Sequence, residues 1–558
     1  MCGIFALLCS NNDLPSSVIH DAFMKGQKRG PEFSVFKKIQ KQDYVLYIGF
    51  HRLAINGLDE VSNQPIIQNK NNLICNGEIY NYKTLYEKQN IIPKTNSDCE
   101  VILALYERNG PLCASMLDGV FSFILYDETK EQIMVARDPY GVRPLYECHY
   151  ENGNIGFASD VECLTFEPMK SIHPFEPGSY SLFQKDKQSS WNIIHREKYF
   201  FNSSYLPLFS CHQPIEYYMH KFVMLLKESI LKRVQNCERN IACLLSGGLD
   251  SSIISAFVRK MYFEKTGYVL QTYSIGLKDA EDLNYAKQVS THIQSNHHEI
   301  IMSNEEMIDS IPYVIKDIES YDTTTVRASV GNWNIGKYIS THSDAKVIFN
   351  GDGADELAGG YLYFHACPNN ELFDSETKDL LTKINRFDVL RSDKSISSHG
   401  LEPRTPFLDK ELTRFYLSIP IEYRNHNNDN KCEKYFIRKA IETYEPTLLP
   451  HDVLWRTKEA FSDGISNAKK SWYEIIQENE EIKHMDHNTQ WTYNIPKTKE
   501  QQYYRSIFDK YFPKPCETLI PYFWMPKFVD NAHDASARTL QLYGRTENKI
   551  TNRLENEC

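Results

Sequence analysis

Residues 246–252, with the sequence SGGLDSS, have the composition and spacing of a loop that binds phosphate groups. They lie between two short apolar runs, which predicts a strand, a tight loop and a helix. Gly247 and Gly248 allow the backbone to turn sharply and approach an anion, which the free N–H groups at a helix start can hold. Asp250 beside a polyphosphate requires a cation such as Mg²⁺ between them. The loop lacks the Lys-Ser/Thr pair of a P-loop, and its simpler interpretation is a helix capped after a glycine turn.

The amino terminus has the features of a nucleophile for acyl transfer. The small side chain of Cys2 permits removal of Met1, which would give Cys2 a free α-amine with a reference pKa of about 7.7–8.0. That amine can act as the base for its own thiol. A cysteine at position two also occurs without any catalytic role, so the hypothesis depends on the residues that accompany it.

Three polar segments supply the other groups that such chemistry needs. Asn76 and Gly77 offer a side-chain amide and a backbone N–H to a tetrahedral oxyanion. Arg52 could pair with a carboxylate and Asp98 with an ammonium group, so that together they would clamp an α-amino acid. Taken singly, these segments read as a hairpin turn, a surface arginine and a helix cap provided by Asp98.

Polar segments in the second half predict a separate, nucleotide-dependent site. Residues 350–361, NGDGADELAGGY, combine carboxylates with glycines after a predicted strand, a composition suited to Mg²⁺ and to a closely approaching nucleotide. Residues 319–329 are unusually polar for a helix-rich region. Residues 400–409 and 455–464 add basic groups that could balance ATP phosphates, although each is singly compatible with ordinary surface cations.

Composition limits the class of protein. The chain has 558 residues, 41% of them hydrophobic and 24% charged, which predicts a soluble protein of two or three domains. The net charge of −11 argues against a nucleic-acid partner. No secretory signal and no apolar run of about 20 residues is present, so no membrane partner is expected. Fourteen cysteines without a Cys-x-x-Cys pair favour reduced thiols and a cytoplasmic location.

The elements that position these segments fall into two halves with different periodicity. Short strands and two helices, near 17–26 and 99–109, are predicted before residue 200. After Ile215, strands at 241–245, 272–277, 298–302 and 346–349 alternate with helices, which predicts a parallel sheet. Because ligands bind at the carboxyl ends of such strands, Ser246 and Asn350 are expected to face one crevice. The predicted domains are 2–205 and 214–543, with a linker near 201–214 and a polar tail at 544–558.

Six segments of the first half resemble, in order, the glutaminase domain of class II glutamine amidotransferases. The resemblance implies an α+β N-terminal-nucleophile hydrolase sandwich (αββα), in which Cys2 attacks the side-chain amide of glutamine and Asn76 and Gly77 form the oxyanion hole. The matching segments are residues 2–4, 29–31, 52–55, 76–81, 97–100 and 137–146. The residues that it implies for holding glutamine are Arg52, Leu53, Ala54, Ile55, Asn56, Asn76, Gly77, Glu78 and Asp98.

The loop at 246–252 resembles the pyrophosphate-binding loop of ATP pyrophosphatases, and nearly the whole chain resembles glutamine-hydrolysing asparagine synthetases. This implies that an α/β parallel-sheet ATP pyrophosphatase domain with a helical C-terminal part follows the glutaminase. The implied reaction converts aspartate and ATP into β-aspartyl-AMP and pyrophosphate. Ammonia from glutamine, delivered through an internal apolar passage, then releases asparagine and AMP.

The same resemblance assigns residues of the second half by position. Mg²⁺ would be reached through Asp250 and Asp355, Lys458 would stabilise the pyrophosphate or the intermediate, and Arg404 would be a basic residue near it. Asp352 stands where the family has a glutamate linked to β-aspartyl-AMP formation. The residues implied for ATP are Leu244, Ser246, Gly247, Gly248, Asp250, Ser251, Ile275, Asn350 and Gly351.

Three residues depart from the family pattern. Asp352 is one methylene shorter than the usual glutamate, which could misplace its carboxylate by more than about an ångström. We therefore expect intact glutaminase activity and a synthetase whose coupling depends on this residue. Lys28 replaces a usual histidine and Glu32 a usual aspartate, and both keep polar character.

Two alternatives remain open from the sequence. An amidotransferase of the same plan could act on another carboxylate, or form a β-lactam, although relatives of the latter kind typically lose the cysteine that Cys2 retains here. A non-catalytic binding protein could also keep the fold. The expected partners are the small molecules glutamine, aspartate and ATP and, by analogy alone, a second copy of the chain in a homodimer.

Overall fold

The computed structural model describes residues 1–9, 14–186, 190–202, 213–429, 431–456, 458, 464–466, 470–485, 491–530, 532 and 534–540. The polar tail expected at 544–558 and most of the linker expected at 201–214 lie outside these residues. Within them, no helix is both long and apolar enough to cross a membrane.

Two six-stranded antiparallel sheets form the first part of the chain. The first sheet has the order β10 (Met169–Pro174), β8 (Tyr146–Tyr150), β9 (Ile155–Ala158), β1 (Gly3–Cys9), β3 (Val45–Arg52) and β2 (Phe33–Gln40). The second has the order β12 (Trp191–Lys198), β11 (Ser179–Lys185), β7 (Gln132–Arg137), β6 (Gly119–Asp127), β5 (Asn71–Ile79) and β4 (Ile66–Gln68).

The sheets stack with helices on their outer faces. Along β1, Ile4 and Ala6 point into the apolar layer between the sheets, whereas Phe5 and Leu7 pack outward with α1 (Ser16–Met24). This alternation follows from the two-residue period of a strand, and it requires β1 to be apolar on both faces. The outer face of the second sheet packs against α2 (Tyr82–Gln89), α3 (Val101–Asn109) and α4 (Cys113–Met116). The predicted αββα sandwich is confirmed.

A five-stranded parallel sheet forms the second part. Its order is β15 (Asn296–Met302), β14 (Gln271–Leu277), β13 (Ile241–Leu244), β16 (Val347–Phe349) and β17 (Glu402–Arg404). Strands β14 and β15 lie on one side of β13, and the later strands β16 and β17 lie on its other side. Open α/β sheets bind ligands where the strand order reverses in this way, so a crevice is expected between β13 and β16.

Helices surround the parallel sheet and make up most of the remaining chain. They are α5 (Ile215–Gln235), α6 (Leu249–Thr266), α7 (Glu281–Ile293), α8 (Asn304–Ile318), α9 (Thr323–His342), α10 (Ala354–Ala358), α11 (Asn370–Lys383), α12 (Asp388–Ser397), α13 (Lys410–Ser418), α14 (Ile421–Arg424), α15 (Tyr435–Tyr444), α16 (His451–Leu454), α17 (Trp472–Glu478), α18 (Glu480–Lys483) and α19 (Lys499–Tyr511). The helical character predicted after residue 414 is confirmed for the described residues.

Paired charges fill the buried interface between the two halves. Arg29 lies 3.2 Å from Asp160 and 2.8 Å from Asp393, and each of these residues is at most 3% exposed. Arg143 contacts the other oxygen of Asp393, and Lys394 pairs with Asp160. Buried ion pairs add little net stability, but removing one partner leaves an uncompensated charge at a cost of about 3–5 kcal/mol. The network therefore fixes the relative position of the two halves.

Candidate active sites

Cys2 lies at the start of β1, between two elements that supply polar groups. Its backbone N–H donates to Asn76 Oδ1 at 3.2 Å, and its thiol lies 3.7 Å from the carbonyl oxygen of Leu53. Met1 precedes it and is buried, with its ammonium 3.8 Å from Glu402. Burial raises the pKa of the Cys2 thiol to about 11 and lowers the pKa of the Met1 amine to about 6. With Met1 attached, the nitrogen of Cys2 is an amide and has no basic lone pair.

The Asn76-Gly77 pair on β5 has an unused donor next to Cys2. Asn76 is fully buried, and its Nδ2 atom has no hydrogen-bond partner, although Oδ1 accepts from Cys2. A buried unpaired donor costs about 1–3 kcal/mol, which marks a group that awaits a ligand. Gly77 allows no side chain, because a Cβ there would lie 2.4 Å from the carbonyl oxygen of Val120. These two residues are thus placed together beside the thiol.

The loop after β3 is held from both sides by charged residues. Arg52 donates to the carbonyl oxygen of Asp59 at 3.0 Å and to Asn63 Oδ1 at 2.6 Å, so its guanidinium fixes the loop that begins at Leu53. Glu32 accepts from the N–H of Ala54 at 2.8 Å. The role of Arg52 toward a substrate carboxylate stays a prediction.

The two departures from the family pattern near the amino terminus both reach the second half of the chain. Glu32 pairs with Arg239 at 2.9 Å, just before β13. Lys28 lies 2.7 Å from Asp317 and pairs with Glu162 as well. These residues therefore link the first half of the chain to the second.

Glu78 and Asp98 bring two buried carboxylates to the same site. Asn56 donates to Glu78, and the N–H of Ile79 donates to Asp98 Oδ2 at 2.6 Å. Burial raises the pKa of Asp98 to about 6, and burial together with Glu402 and Asp98 raises the pKa of Glu78. The prediction that Asp98 caps a helix is wrong: Ser97 accepts from the N–H of the short turn that begins at Asp98. The carboxylate of Asp98 instead accepts a hydrogen bond from Ile79 at the end of β5.

Arg404 lies in a different place from the one that the sequence predicted. It sits on β17, is 1% exposed, and pairs with Glu402 at 2.9 Å and with Glu78 at 3.3 Å. It is absent from the lining of the nucleotide-sized cavity described next. The side chain of Arg404 extends from the edge strand β17 toward Glu402 and Glu78, and its role near a pyrophosphate stays a prediction.

A cavity of about 230 Å³ opens at the carboxyl ends of β13 and β16. Its position confirms the crevice that Ser246 and Asn350 were expected to share. Gly247 has a φ of +75° and does not line the cavity. A Cβ on this residue would lie 2.5 Å from the backbone nitrogen of Ala286. Of the residues assigned to ATP, those that line the cavity are Leu244, Ser246, Gly248, Asp250, Ser251, Ile275, Asn350 and Gly351.

The two loops at this edge touch each other. A Cβ on Gly351 would lie 2.8 Å from the backbone nitrogen of Ser251, so only glycine permits the approach. Ser251 Oγ lies 3.0 Å from Ser246 Oγ and accepts from the Ser246 N–H at 3.2 Å. Helix α6 starts at Leu249 without a side-chain cap, which leaves its first N–H groups available to an anion.

Four charged side chains form a chain across the cavity floor. Lys434 Nζ lies 2.5 Å from Asp250 Oδ2 and 2.5 Å from Asp355 Oδ1. Lys458 Nζ lies 2.7 Å from the other oxygen of Asp355. Burial opposes the charge on Asp355, yet the two lysines hold the pKa of that carboxyl below its usual range. Of these four residues, Lys434 is the one that the sequence analysis missed.

The donor set fits a magnesium ion that a nucleotide brings with it. Asp250 Oδ1 is buried without a hydrogen-bond partner, and Asp355 lies on the far side of the same ammonium group. Magnesium is usually held by one or two carboxylates together with water and substrate phosphates. In the described residues no group of three or more histidine, cysteine, aspartate or glutamate side chains could hold a metal by itself. Asp250 and Asp355 are thus the candidate ligands.

The opposite wall carries the remaining predicted segments. Thr324 and Thr325, at the start of α9, line the cavity, and Thr324 Oγ1 is buried without a partner. Asp352 Oδ1 lies 3.5 Å from Arg391 Nη2, while Arg391 pairs more closely, at 2.9 Å, with Asp388. Arg456 and Lys458 also line the cavity. Thr457 and residues 459–463 of the same predicted segment lie outside the described residues. No signal in the sequence indicated Arg391.

Two family descriptions match the chain. Residues 1–205 match a glutamine amidotransferase domain, and residues 221–378 and 368–527 match asparagine synthase. The asparagine synthetase [glutamine-hydrolyzing] of Gallus gallus is 40% identical and that of Cricetulus griseus 39% identical, each over 97% of this chain and 99% of the relative. A solved glutamine phosphoribosylpyrophosphate amidotransferase from B. subtilis covers 53% of this chain and 81% of its own at 16% identity, with a TM-score of 0.30.

The fold and the matches thus define a glutamine amidotransferase joined to an ATP-dependent synthetase. The chain belongs to the family of glutamine-hydrolysing asparagine synthetases, because full-length relatives of that family match it from end to end.

Proposed function

We propose that the two sites make L-asparagine in two linked steps, from L-aspartate, ATP and L-glutamine. The observation that carries the proposal is that one chain holds a partly buried thiol beside an unpartnered amide donor and, separately, a cavity at the carboxyl ends of β13 and β16. The first site releases ammonia, and the second activates a carboxylate to receive it.

In the glutaminase step, removal of Met1 gives Cys2 an amine that takes the proton of its own thiol. The thiolate attacks the side-chain carbonyl carbon of glutamine, and Asn76 Nδ2 with the Gly77 N–H stabilises the oxyanion. As this intermediate collapses, the Cys2 ammonium returns its proton to the amide nitrogen, the C–N bond breaks, and ammonia departs to leave a thioester. Water then hydrolyses the thioester, which gives glutamate and frees the thiol. Burial lowers the pKa of the Met1 amine, and a Cys2 amine in similarly buried surroundings would be neutral at pH 7 and so have a lone pair for that proton. Asp98 and Arg52 are proposed to hold the α-ammonium and α-carboxylate.

In the synthetase step, the β-carboxylate of aspartate attacks the α-phosphorus of ATP and displaces pyrophosphate. The N–H groups and hydroxyls at Ser246, Gly248 and Ser251 are proposed to hold the phosphates, and Lys458 to stabilise the departing charge. Asp250 and Asp355 would hold Mg²⁺, which would neutralise phosphate charge when bound. Ammonia then attacks the acyl carbon of β-aspartyl-AMP, and AMP leaves as asparagine forms.

An assay with ATP, Mg²⁺, aspartate and glutamine tests this reaction directly. Mass spectrometry is expected to find asparagine, glutamate, AMP and pyrophosphate in the products. ADP and phosphate in place of AMP and pyrophosphate would contradict the proposed activation. An amide formed only when another carboxylic acid replaces aspartate would support the alternative acceptor.

Glutamine binding is expected to weaken below pH 6. Burial raises the pKa of Asp98 to about 6, and a protonated carboxyl no longer attracts the α-ammonium of glutamine. The KM for glutamine should therefore rise by up to about tenfold per pH unit below that point. A carboxyl whose folded pKa exceeds its unfolded value adds stability as the pH falls from 6 toward 4, so the loss is not due to this group unfolding the protein.

Steady-state glutaminase assays from pH 5 to 8 measure that effect, with Asp98→Asn as the comparison. The variant should have a high KM that does not change over this range. A wild-type KM that is constant down to pH 5 would show that ionised Asp98 is not needed for binding.

Asp352→Glu is expected to improve coupling between the two steps. The longer side chain can close the 3.5 Å gap to Arg391 and restore the carboxylate position usual in the family. We expect the yield of asparagine per glutamate to rise about two- to tenfold, since misplacement by about 1 Å is costly. Product ratios from amino-acid analysis measure this, with Asp352→Asn expected to lower synthesis. An unchanged yield and ratio in Asp352→Glu would show that the shorter side chain is already adequate.

The remaining predictions concern the surroundings of the enzyme. A cytoplasmic location is proposed because no disulfide joins cysteines within the described residues and thiols stay reduced in that compartment. A homodimer and the absence of a nucleic-acid partner stay predictions, the latter supported by the net charge of −11.

A further inference from the structure

Lys434 is a deeply buried charge in the lining of the cavity on the parallel sheet. Its side chain is 1% exposed, and its ammonium lies between the carboxylates of Asp250 and Asp355. The residue has a φ of +58° and immediately precedes α15. A non-glycine residue in this backbone region is uncommon and is kept where the surroundings fix it.

The neighbouring backbone is shaped to admit this side chain. A Cβ on Gly360 would lie 2.1 Å from Lys434 Cε and 2.2 Å from Asp355 Oδ1. The φ of Gly360 is not positive, so glycine is required here for space and not for conformation. The lysine stem and the carboxylate therefore occupy a slot that exists only because residue 360 has no side chain.

The charges in this slot balance before any ligand arrives. Asp250 and Asp355 carry two negative charges, and Lys434 and Lys458 carry two positive charges. A metal ion that binds both carboxylates must approach the oxygens that Lys434 already holds, against the repulsion of its ammonium. A polyphosphate that arrives with the metal offers that ammonium a new negative partner.

We propose that Lys434 is an exchangeable counter-ion: it neutralises Asp250 and Asp355 in the free enzyme and transfers to pyrophosphate oxygens when the metal–nucleotide complex binds. This role rests on the proposed function of the cavity as the ATP site. Its consequence is that the metal alone binds weakly, whereas metal and phosphate bind together. The exchange is one of ionic partners, and no covalent bond is made or broken.

Lys434→Met tests the proposal through metal binding instead of activity. Mn²⁺, titrated alone and followed by electron paramagnetic resonance, should bind the variant about tenfold or more tightly than wild type, because the competing ammonium is gone. Inhibition by pyrophosphate in the presence of Mg²⁺ should weaken by about tenfold or more. Lys439→Met removes the same charge from the helix that follows Lys434, where the ammonium pairs with Glu442, and it should change neither value.

Lys434→Gln provides a second variant, which keeps a long polar side chain but removes the competing ammonium. It should shift Mn²⁺ affinity in the same direction. If Lys434→Met folds poorly, Lys434→Gln carries the test, with thermal unfolding used to show stabilisation by Mn²⁺. Unchanged or weaker Mn²⁺ binding in these variants would overturn the counter-ion role, and unchanged pyrophosphate inhibition would overturn the transfer. A wild-type enzyme that makes no AMP would instead count against the proposed function itself.

Discussion

Cys2→Ala is expected to abolish the use of glutamine while synthesis from free ammonia survives. Without the thiol no thioester forms, and glutamate production should fall by about 10³-fold or more. The synthetase cavity lies on a separate sheet and is lined by none of the residues around Cys2. Asparagine formation from aspartate, ATP and an ammonium salt should therefore stay near the wild-type rate.

The experiment compares glutamine and ammonium chloride as nitrogen sources, with amino-acid analysis of the products. Cys9→Ala is the matched control, because Cys9 is a buried thiol on the same strand, β1. It should leave both reactions intact. Intact mass of the purified wild type should show that Met1 is removed, as the proposal requires. Loss of ammonia-dependent synthesis in Cys2→Ala would show that the two halves cannot work separately.

The cavity on the parallel sheet could be predicted because its main parts follow strands directly. Ser246 comes two residues after β13 and Asn350 follows β16, and neighbouring parallel strands place their carboxyl ends at one edge. The alternation of apolar strands and helices can be recognised from residues that are close in sequence, and the position of the crevice follows from that alternation. The same reasoning applies to Asn76 and Gly77, which are adjacent on one strand.

Residues that arrive from distant segments could not be placed in this way. Lys434 is 184 residues from Asp250 and reaches it only because Gly360 leaves space. Arg404 lies on a short, charged strand, and no pattern in the sequence indicated that its side chain faces Glu78. Such long-range pairs depend on tertiary packing, and the periodicity of apolar residues in the sequence does not predict them.

The buried charges also explain how two distinct chemistries can share one chain. Arg404 joins Glu78, in the candidate site around Cys2, to Glu402, which in turn lies 3.5 Å from Arg143. Arg143 contacts Asp393, which also holds Arg29. Each of these side chains is fixed by a partner from the other half of the chain. These buried pairs therefore hold the two sites in position relative to each other.

Lys458→Met is expected to uncouple the two reactions from the synthetase side. Lys458 Nζ lies 2.7 Å from Asp355, and although burial opposes its charge, Asp355 and Asp250 hold the pKa of this lysine above its usual range. It therefore stays cationic at neutral pH and can stabilise the charge that develops on departing pyrophosphate. Loss of such a group costs about 10²–10³ in rate, so asparagine formation should fall by that factor.

Because the Cys2 site is left intact, Lys458→Met should still release glutamate, and the ratio of glutamate to asparagine should rise steeply. Exchange of labelled pyrophosphate into ATP separates the steps: it should fall with synthesis if Lys458 acts on β-aspartyl-AMP formation. Lys458→Arg keeps the charge and should recover part of the exchange, whereas Lys470→Met, whose ammonium pairs with Glu478 on the surface, should behave as wild type. Normal exchange in Lys458→Met with lost asparagine would assign the lysine to the later attack by ammonia.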